Sequence, residues 1–147
     1  MNVSPKTCYQ WVEEMISAKK TVLLPPKISL KPRDGVFCNV MPCIMPSADM
    51  KMVGGVKVVT RYPERKPSLD SKLILMNAQT GEFLAVMDAN WITAMRTGAV
   101  AVHSILLFAK KQFCRVGMIG LGNTARATLL VLAQMLDGRN LGIKLLK

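Results

Sequence analysis

Residues 115–125 constrain this chain more than any other stretch. Arg115-Val116-Gly117-Met118-Ile119 is a short apolar run. Gly120-Leu121-Gly122-Asn123-Thr124-Ala125 follows directly, and a helical pattern continues over 126–136. A strand, a Gly-x-Gly-x-x-Ala turn and a helix in that order open a dinucleotide-binding unit. Gly120 permits the tight turn. Gly122 keeps a Cβ out of the path by which backbone N–H groups reach a pyrophosphate. Ala125 lets helix and strand pack closely, and the helix N-terminus adds partial positive charge. Asp137-Gly138-Arg139-Asn140 reads as a helix end and turn, with 141–146 as the start of a second strand. One and a half strands leave an apolar edge and helix face with nothing to bury against. The chain is therefore expected to be the N-terminal part of a longer protein, with negligible turnover by itself.

Upstream, the hydrophobic period changes twice. Tyr9, Trp11, Val12, Met15 and Ile16 recur at roughly helical spacing, predicting an amphipathic helix over 7–20. Pro25-Pro26 then force extended backbone. Short apolar runs follow at 36–41, 56–60, 73–76 and 83–87, separated by turn-forming residues at 32–35, Gly54-Gly55, 63–67 and 77–81. This alternation predicts a small antiparallel sheet, with a hairpin around 77–81. Asp88 or Asn90 can cap the next helix. That helix is predicted over 91–111, with Ile92, Met95, Ala99, Val102, Leu106 and Ala109 down one face and Lys110-Lys111 at its negative end. Gly98 in its interior costs about 1 kcal/mol relative to Ala, so a close backbone or ligand approach is expected there.

The chain has 147 residues, half of them hydrophobic, and a net charge of +11. That length suits one ordinary domain, or a small domain and part of another. The cations are scattered rather than blocked, and aromatics are only 5%, so nucleic-acid binding is not expected. A small anionic ligand held by a few inward cations accounts for the charge. No apolar run reaches the roughly 18 residues needed to span a bilayer, and the N-terminus lacks a signal-peptide core. A cytoplasmic protein that binds no membrane is expected. Cys8, Cys38, Cys43 and Cys114 have no zinc-ligand spacing, so no metal site is expected and the thiols read as reduced and mostly buried. His103 reads as a packed residue rather than a base.

With these residues in hand, the chain resembles the ornithine cyclodeaminase and mu-crystallin family. The pieces that carry the resemblance run in order. They are Pro25-Pro26-Lys27, Met41-Pro42, Gly55-Val56-Lys57-Val58-Val59 followed by Pro63, and Thr80-Gly81-Glu82 with Leu84-Ala85-Val86-Met87-Asp88. Ile92-Thr93-Ala94-Met95-Arg96-Thr97-Gly98-Ala99 and the glycine turn complete them. Residues 25–46 resemble the bacterial cyclodeaminases slightly more than the vertebrate crystallin.

The resemblance implies an α/β protein. An α+β substrate and dimerisation domain would occupy 1–112, and the incomplete beginning of an NAD-binding Rossmann domain 113–147. It implies a homodimer formed through the N-terminal sheet and an NAD-dependent lyase reaction. Hydride leaves the α-carbon of L-ornithine, the δ-amine attacks the resulting imine, ammonia departs and hydride returns to give L-proline. An amino-acid dehydrogenase or ketimine reductase, and a non-enzymatic crystallin-like binding protein, are the alternatives.

Lys27, Lys57 and Arg96 would hold the substrate carboxylate. Lys57, which from pattern alone could equally lie on an exposed sheet face, would also serve catalysis. Ser68, Arg96, Gly120, Gly122, Asn123, Thr124 and Ala125 would contact the cofactor. Lys27 stands where the family usually has Arg, keeping the charge and losing the planar fork. Thr124 stands where Gln is usual. The family's catalytic Asp falls beyond residue 147, and Asp88 is explained by capping.

Overall fold

The computed structural model describes residues 3–49, 51–110 and 112–146. In chain order come α1 (Pro5–Ser17), a single 3-10 turn (Lys19–Thr21), β1 (Ile28–Leu30), β2 (Phe37–Ser47), β3 (Lys51–Arg61), β4 (Leu69–Asn77) and β5 (Phe83–Asp88). Then follow α2 (Asn90–Phe108), β6 (Arg115–Ile119), α3 (Asn123–Met135) and β7 (Gly142–Leu146). By packing these fall into two units, residues 18–91 and the two segments up to Ser17 and from Ile92 onward. The compact units therefore do not coincide with a division at 112/113, since α1 and most of α2 group with the β6–α3–β7 segment.

The first unit is an antiparallel meander in the order β1-β2-β3-β4-β5. Two of its features depart from the sequence expectation. Gly54-Gly55, expected as a turn, lies inside β3, opposite Ile44 and Cys43 on one side and Met76 and Leu75 on the other. A Cβ on Gly55 would sit 3.2 Å from the Ile74 carbonyl oxygen, and one on Gly54 would sit 2.9 Å from Met76 Cγ. These glycines serve close strand approach rather than chain reversal. β2 also runs on through Pro42 and Pro46. Ile44 exchanges both backbone hydrogen bonds with Leu23. In an antiparallel strand the prolines two residues either side face that same way, so the β2–β3 ladder loses no donor. The hairpin at 77–81 forms as expected. Asn77 Oδ1 accepts from the Gln79 and Thr80 amides at 2.9 and 3.3 Å.

In the second unit, Cys8 and Tyr9 of α1, Met95, Ala99 and Val102 of α2, and Ala127, Val131 and Leu132 of α3 form one buried cluster with Leu136. Gly98 is where α2 meets α3. A Cβ there would fall 2.6 Å from the Thr128 amide nitrogen and 2.7 Å from the Ala127 carbonyl carbon, so the close approach expected at this glycine is between helix backbones. The α2 helix is shorter than expected, ending at Phe108, and Lys111 lies outside the described residues. By length and mean hydropathy (1.3) α2 is apolar enough to cross a membrane. Its buried residues pack into this cluster as those of a core helix do. His103 is a packed residue as expected, its Nδ1 3.2 Å from the Tyr9 hydroxyl. The cysteines depart from expectation in burial. All four are free, but only Cys8 is buried and Cys114 is exposed. Burial raises the Cys8 and Cys43 thiol pKa values.

The helix contact gives a stability prediction. Gly98→Ala adds about 1 kcal/mol of helix propensity but drives a methyl into backbone, an overpacking cost of about 1–3 kcal/mol. The variant is expected to be less stable by about 1 kcal/mol, measured as an earlier urea midpoint at unchanged slope.

Candidate active site

The sheet places Lys57 by register. Met41 and Leu73 lie directly opposite it on either side, and Asn39 and Ser71 lie opposite Val59. The period of two puts Lys57 on one face with Asn39, Met41, Val59, Ser71 and Leu73. On this face Val59 is 5% and Ser71 1% exposed; on the opposite face the inner residues Val40, Val56, Val58 and Ile74 are half-buried and the edge-strand residues Ile28 and Val86 are 57% and 74% exposed. Lys57 itself is half-buried. Ile28 begins β1 opposite Val40, and Lys27, just outside the ladder, is exposed. The next bridge, Leu23 to Ile44, is out of that register by one residue, so no cross-strand pair sets Lys27 on the Lys57 face.

The same face carries polar groups that sequence reading passed over. Asn39 Oδ1 and Ser71 Oγ are buried and make no hydrogen bond among the described residues. Each sits diagonally across from Lys57, flanking Val59. Buried polar atoms without partners are uncommon away from binding sites. No motif marks these two, because their burial follows from the register.

Ser68 lies in the β3–β4 connection, half-buried, with its carbonyl accepting from the Tyr62 amide at 2.8 Å. At the far end of β5, Asp88 Oδ1 accepts the Asn90 amide at 2.9 Å, so Asp88 caps α2 as one of the two expected candidates. Lys72 Nζ reaches Asp88 at 2.9 Å and Asp70 at 3.7 Å, and the Asn90 side-chain amide donates to both carboxylates. The Asn90 backbone N–H first, then Lys72, holds the Asp88 pKa below its ordinary value. The Asn90 side chain does the same for Asp70. Asp88 is thus committed to structure.

Arg96 stands on the second turn of α2, two residues before the Gly98 contact with α3. It belongs with the glycine turn to the second unit, and Lys27, Lys57 and Ser68 belong to the first. The residue is exposed by surface area, yet the protein mass around its guanidinium lowers its pKa through desolvation. An arginine so shifted stays a cation at neutral pH.

The glycine turn takes the form its residues predict. Gly120 has φ +83°, a left-handed conformation that favours glycine, and its amide donates to the Leu146 carbonyl at 2.9 Å. Gly122 is extended, and α3 begins at Asn123, three residues earlier than expected, with no side chain capping it. The first helical bond is Arg126 N–H to Gly122 O at 3.1 Å, so the amides of Asn123, Thr124 and Ala125 precede the ladder. A Cβ on Gly120 or Gly122 would meet nothing within 4 Å. β6 and β7 pair in parallel, Arg115 opposite Gly142 through Ile119 opposite Leu146. Uncapped amides, open approach and a positive helix end fit a dinucleotide pyrophosphate.

An antiparallel sheet with Lys57 at mid-strand, joined in one chain to a strand–glycine turn–helix–strand segment, defines an α/β protein with a dinucleotide-binding element. Within that class the chain belongs to the ornithine cyclodeaminase/mu-crystallin family, whose pattern it matches over residues 2–146. The alanine dehydrogenase of Archaeoglobus fulgidus is 32% identical over 118 residues, covering 78% of this chain and 35% of that protein. Thermococcus litoralis Delta(1)-pyrroline-2-carboxylate reductase, solved with NADH and L-proline, superposes with a TM-score of 0.80 at 24% identity, over 99% of this chain and 53% of its own. An archaeal alanine dehydrogenase dimer with bound NAD gives 0.79 at 24% identity, over 99% and 52%. The chain therefore spans about a third of the curated relative and about half of the solved ones. At these identities the solved structures establish the fold.

Open space at Gly122 separates binding from folding. Gly122→Val is expected to leave the thermal midpoint within about 2 °C while weakening NADH binding about tenfold or more, read by calorimetric titration against a parallel melt.

Proposed function

We propose that this chain supplies the substrate face and the first half of the cofactor site of a cytoplasmic, NAD-linked enzyme acting at the α-carbon of an amino acid or cyclic imino acid. The observation that carries this reading is the uncapped glycine turn in a chain whose sheet sets half-buried Lys57 beside the buried polar groups of Asn39 and Ser71. Lys27, Lys57 and Arg96 bind the substrate carboxylate, Arg96 through its planar fork. Lys57, nearest the centre of the sheet, holds or moves the proton at the substrate nitrogen. Asn123, Thr124, Ala125 and Gly122 receive the pyrophosphate on their amides, with Ser68 and Arg96 as further contacts. NAD, when bound, supplies the hydride acceptor and donor. The opposite sheet face, with exposed Ile28 and Val86, suits pairing with a second copy of the chain.

Two chemistries fit such a site. In a dehydrogenase or reductase, NADH is consumed or produced in step with substrate. In ornithine cyclodeamination, hydride is returned within each turnover and ammonia is lost. The dehydrogenase and reductase names of the relatives favour the first, and the family's cyclodeaminase members keep the second in view. The test is stoichiometry in the protein at its full natural length. Net NADH formation with L-alanine or L-proline supports the redox reading. Proline and ammonia from L-ornithine with only catalytic NAD overturns it in favour of the lyase.

The role of Lys57 is tested separately. Lys57→Ala is expected to lower turnover about a thousandfold while NADH binding stays within about twofold. Retained turnover would make Lys57 a plain strand residue.

A further inference from the structure

The β3–β4 connection is organised around one side chain. Arg65 Nε donates to the Pro67 carbonyl at 3.1 Å, and its Nη2 donates to Thr60 Oγ1 at 3.1 Å and the Thr60 carbonyl at 3.4 Å. A longer contact of 3.5 Å reaches the Ser68 carbonyl. That carbonyl is held chiefly by the Tyr62 amide at 2.8 Å. Tyr62 is itself fixed by Arg65, whose amide donates to the Tyr62 carbonyl at 3.0 Å and whose guanidinium lies 5.6 Å over the Tyr62 ring. Neighbouring Glu64 pairs with Arg33 of the β1–β2 connection, tying the loop that follows β1 to the loop that precedes Ser68.

These bonds converge on one consequence. The Pro67 carbonyl belongs to the peptide plane before Ser68, and the Ser68 carbonyl to the plane after it. Restraining both planes fixes φ and ψ of Ser68, and so the direction of its Cα–Cβ bond, leaving only the hydroxyl rotamer free. Thr60, in the paired part of β3, anchors the arrangement to the sheet. A lysine could not reproduce it, because one ammonium on a flexible stem cannot serve Pro67 and Thr60 in the fixed geometry of a guanidinium fork.

We propose that Arg65 is a positioning residue for the cofactor, acting through Ser68: it pre-sets the Ser68 Cα–Cβ direction on which the hydroxyl's contact with the dinucleotide depends, and touches no ligand itself. This rests on the reading of Ser68 as a cofactor contact. A site held in advance binds more tightly than one that must be ordered on binding.

The experiment is a double-mutant cycle on NADH affinity in the protein at its full natural length, with hydrogen exchange of residues 62–68 and a melt for every variant. Arg65→Ala and Ser68→Ala are each expected to weaken NADH binding about tenfold. The double variant should be no weaker than either single one, and Arg65→Lys should behave as Arg65→Ala. Exchange at 62–68 should quicken in the Arg65 variants and stay unchanged in Ser68→Ala. Arg65→Gln substitutes for Arg65→Ala if the latter does not fold. Weakened Ser68→Ala beside normal Arg65→Ala overturns the inference alone. Fully additive losses, or normal binding by Arg65→Lys, also overturn it, by making the two residues independent or the charge sufficient. Normal binding by Ser68→Ala sinks the Ser68 reading and the inference with it.

Discussion

The pairing register of β3 is the constraint on which the substrate face depends. Side chains alternate across a sheet with a period of two, so a slip of one residue would send Lys57 to the opposite face and bring Val56 or Val58 in its place. Several features hold the register. Gly54 and Gly55 let β4 approach closely at one end of the strand, beneath Met76 and beside the Ile74 carbonyl. The Asn77 turn fixes the β4–β5 hairpin. At the other end Thr60 and Arg61 pair with Asp70 and Leu69, just where Arg65 ties the following loop back to Thr60. Strand position, loop position and the candidate cofactor contact at Ser68 are thus mechanically linked within one unit.

The second unit is organised by a different contact, the meeting of α2 and α3 at Gly98. Backbone-to-backbone approach of helices needs a residue without a side chain, and the glycine supplies it at a cost in helix propensity. The same helix carries Arg96, and the same partner helix presents the amides of the glycine turn. Arg96 stands two residues before that contact, so the packing at Gly98 fixes its stretch of α2 against α3.

Charge is used locally in both units. Lys57 stands half-buried at the middle of β3, and Arg126 adds positive charge in the first turn of α3. Lys72 is absorbed by Asp70 and Asp88 in the cap of α2. These carboxylates lie on the face of the sheet opposite Lys57.

Much of this was legible in the amino-acid order. The glycine turn, the two long helices, the hairpin at 77–81 and the Asp88 cap are encoded by residues within a few positions of one another, where local sterics and backbone hydrogen bonding decide the outcome. The Gly54-Gly55 pair was misleading for the same reason: a glycine's freedom suggests a turn, and only the neighbouring strand reveals that its missing side chain serves close pairing. β1 was too short to announce itself. The buried Asn39 and Ser71 and the pinning of Ser68 by Arg65 likewise carry no local signature. The sequence alone determined the helices, the 77–81 hairpin and the presence of a glycine turn of the dinucleotide-binding type. The tertiary structure decided which side chains share a face, because cross-strand register joins residues far apart in the chain.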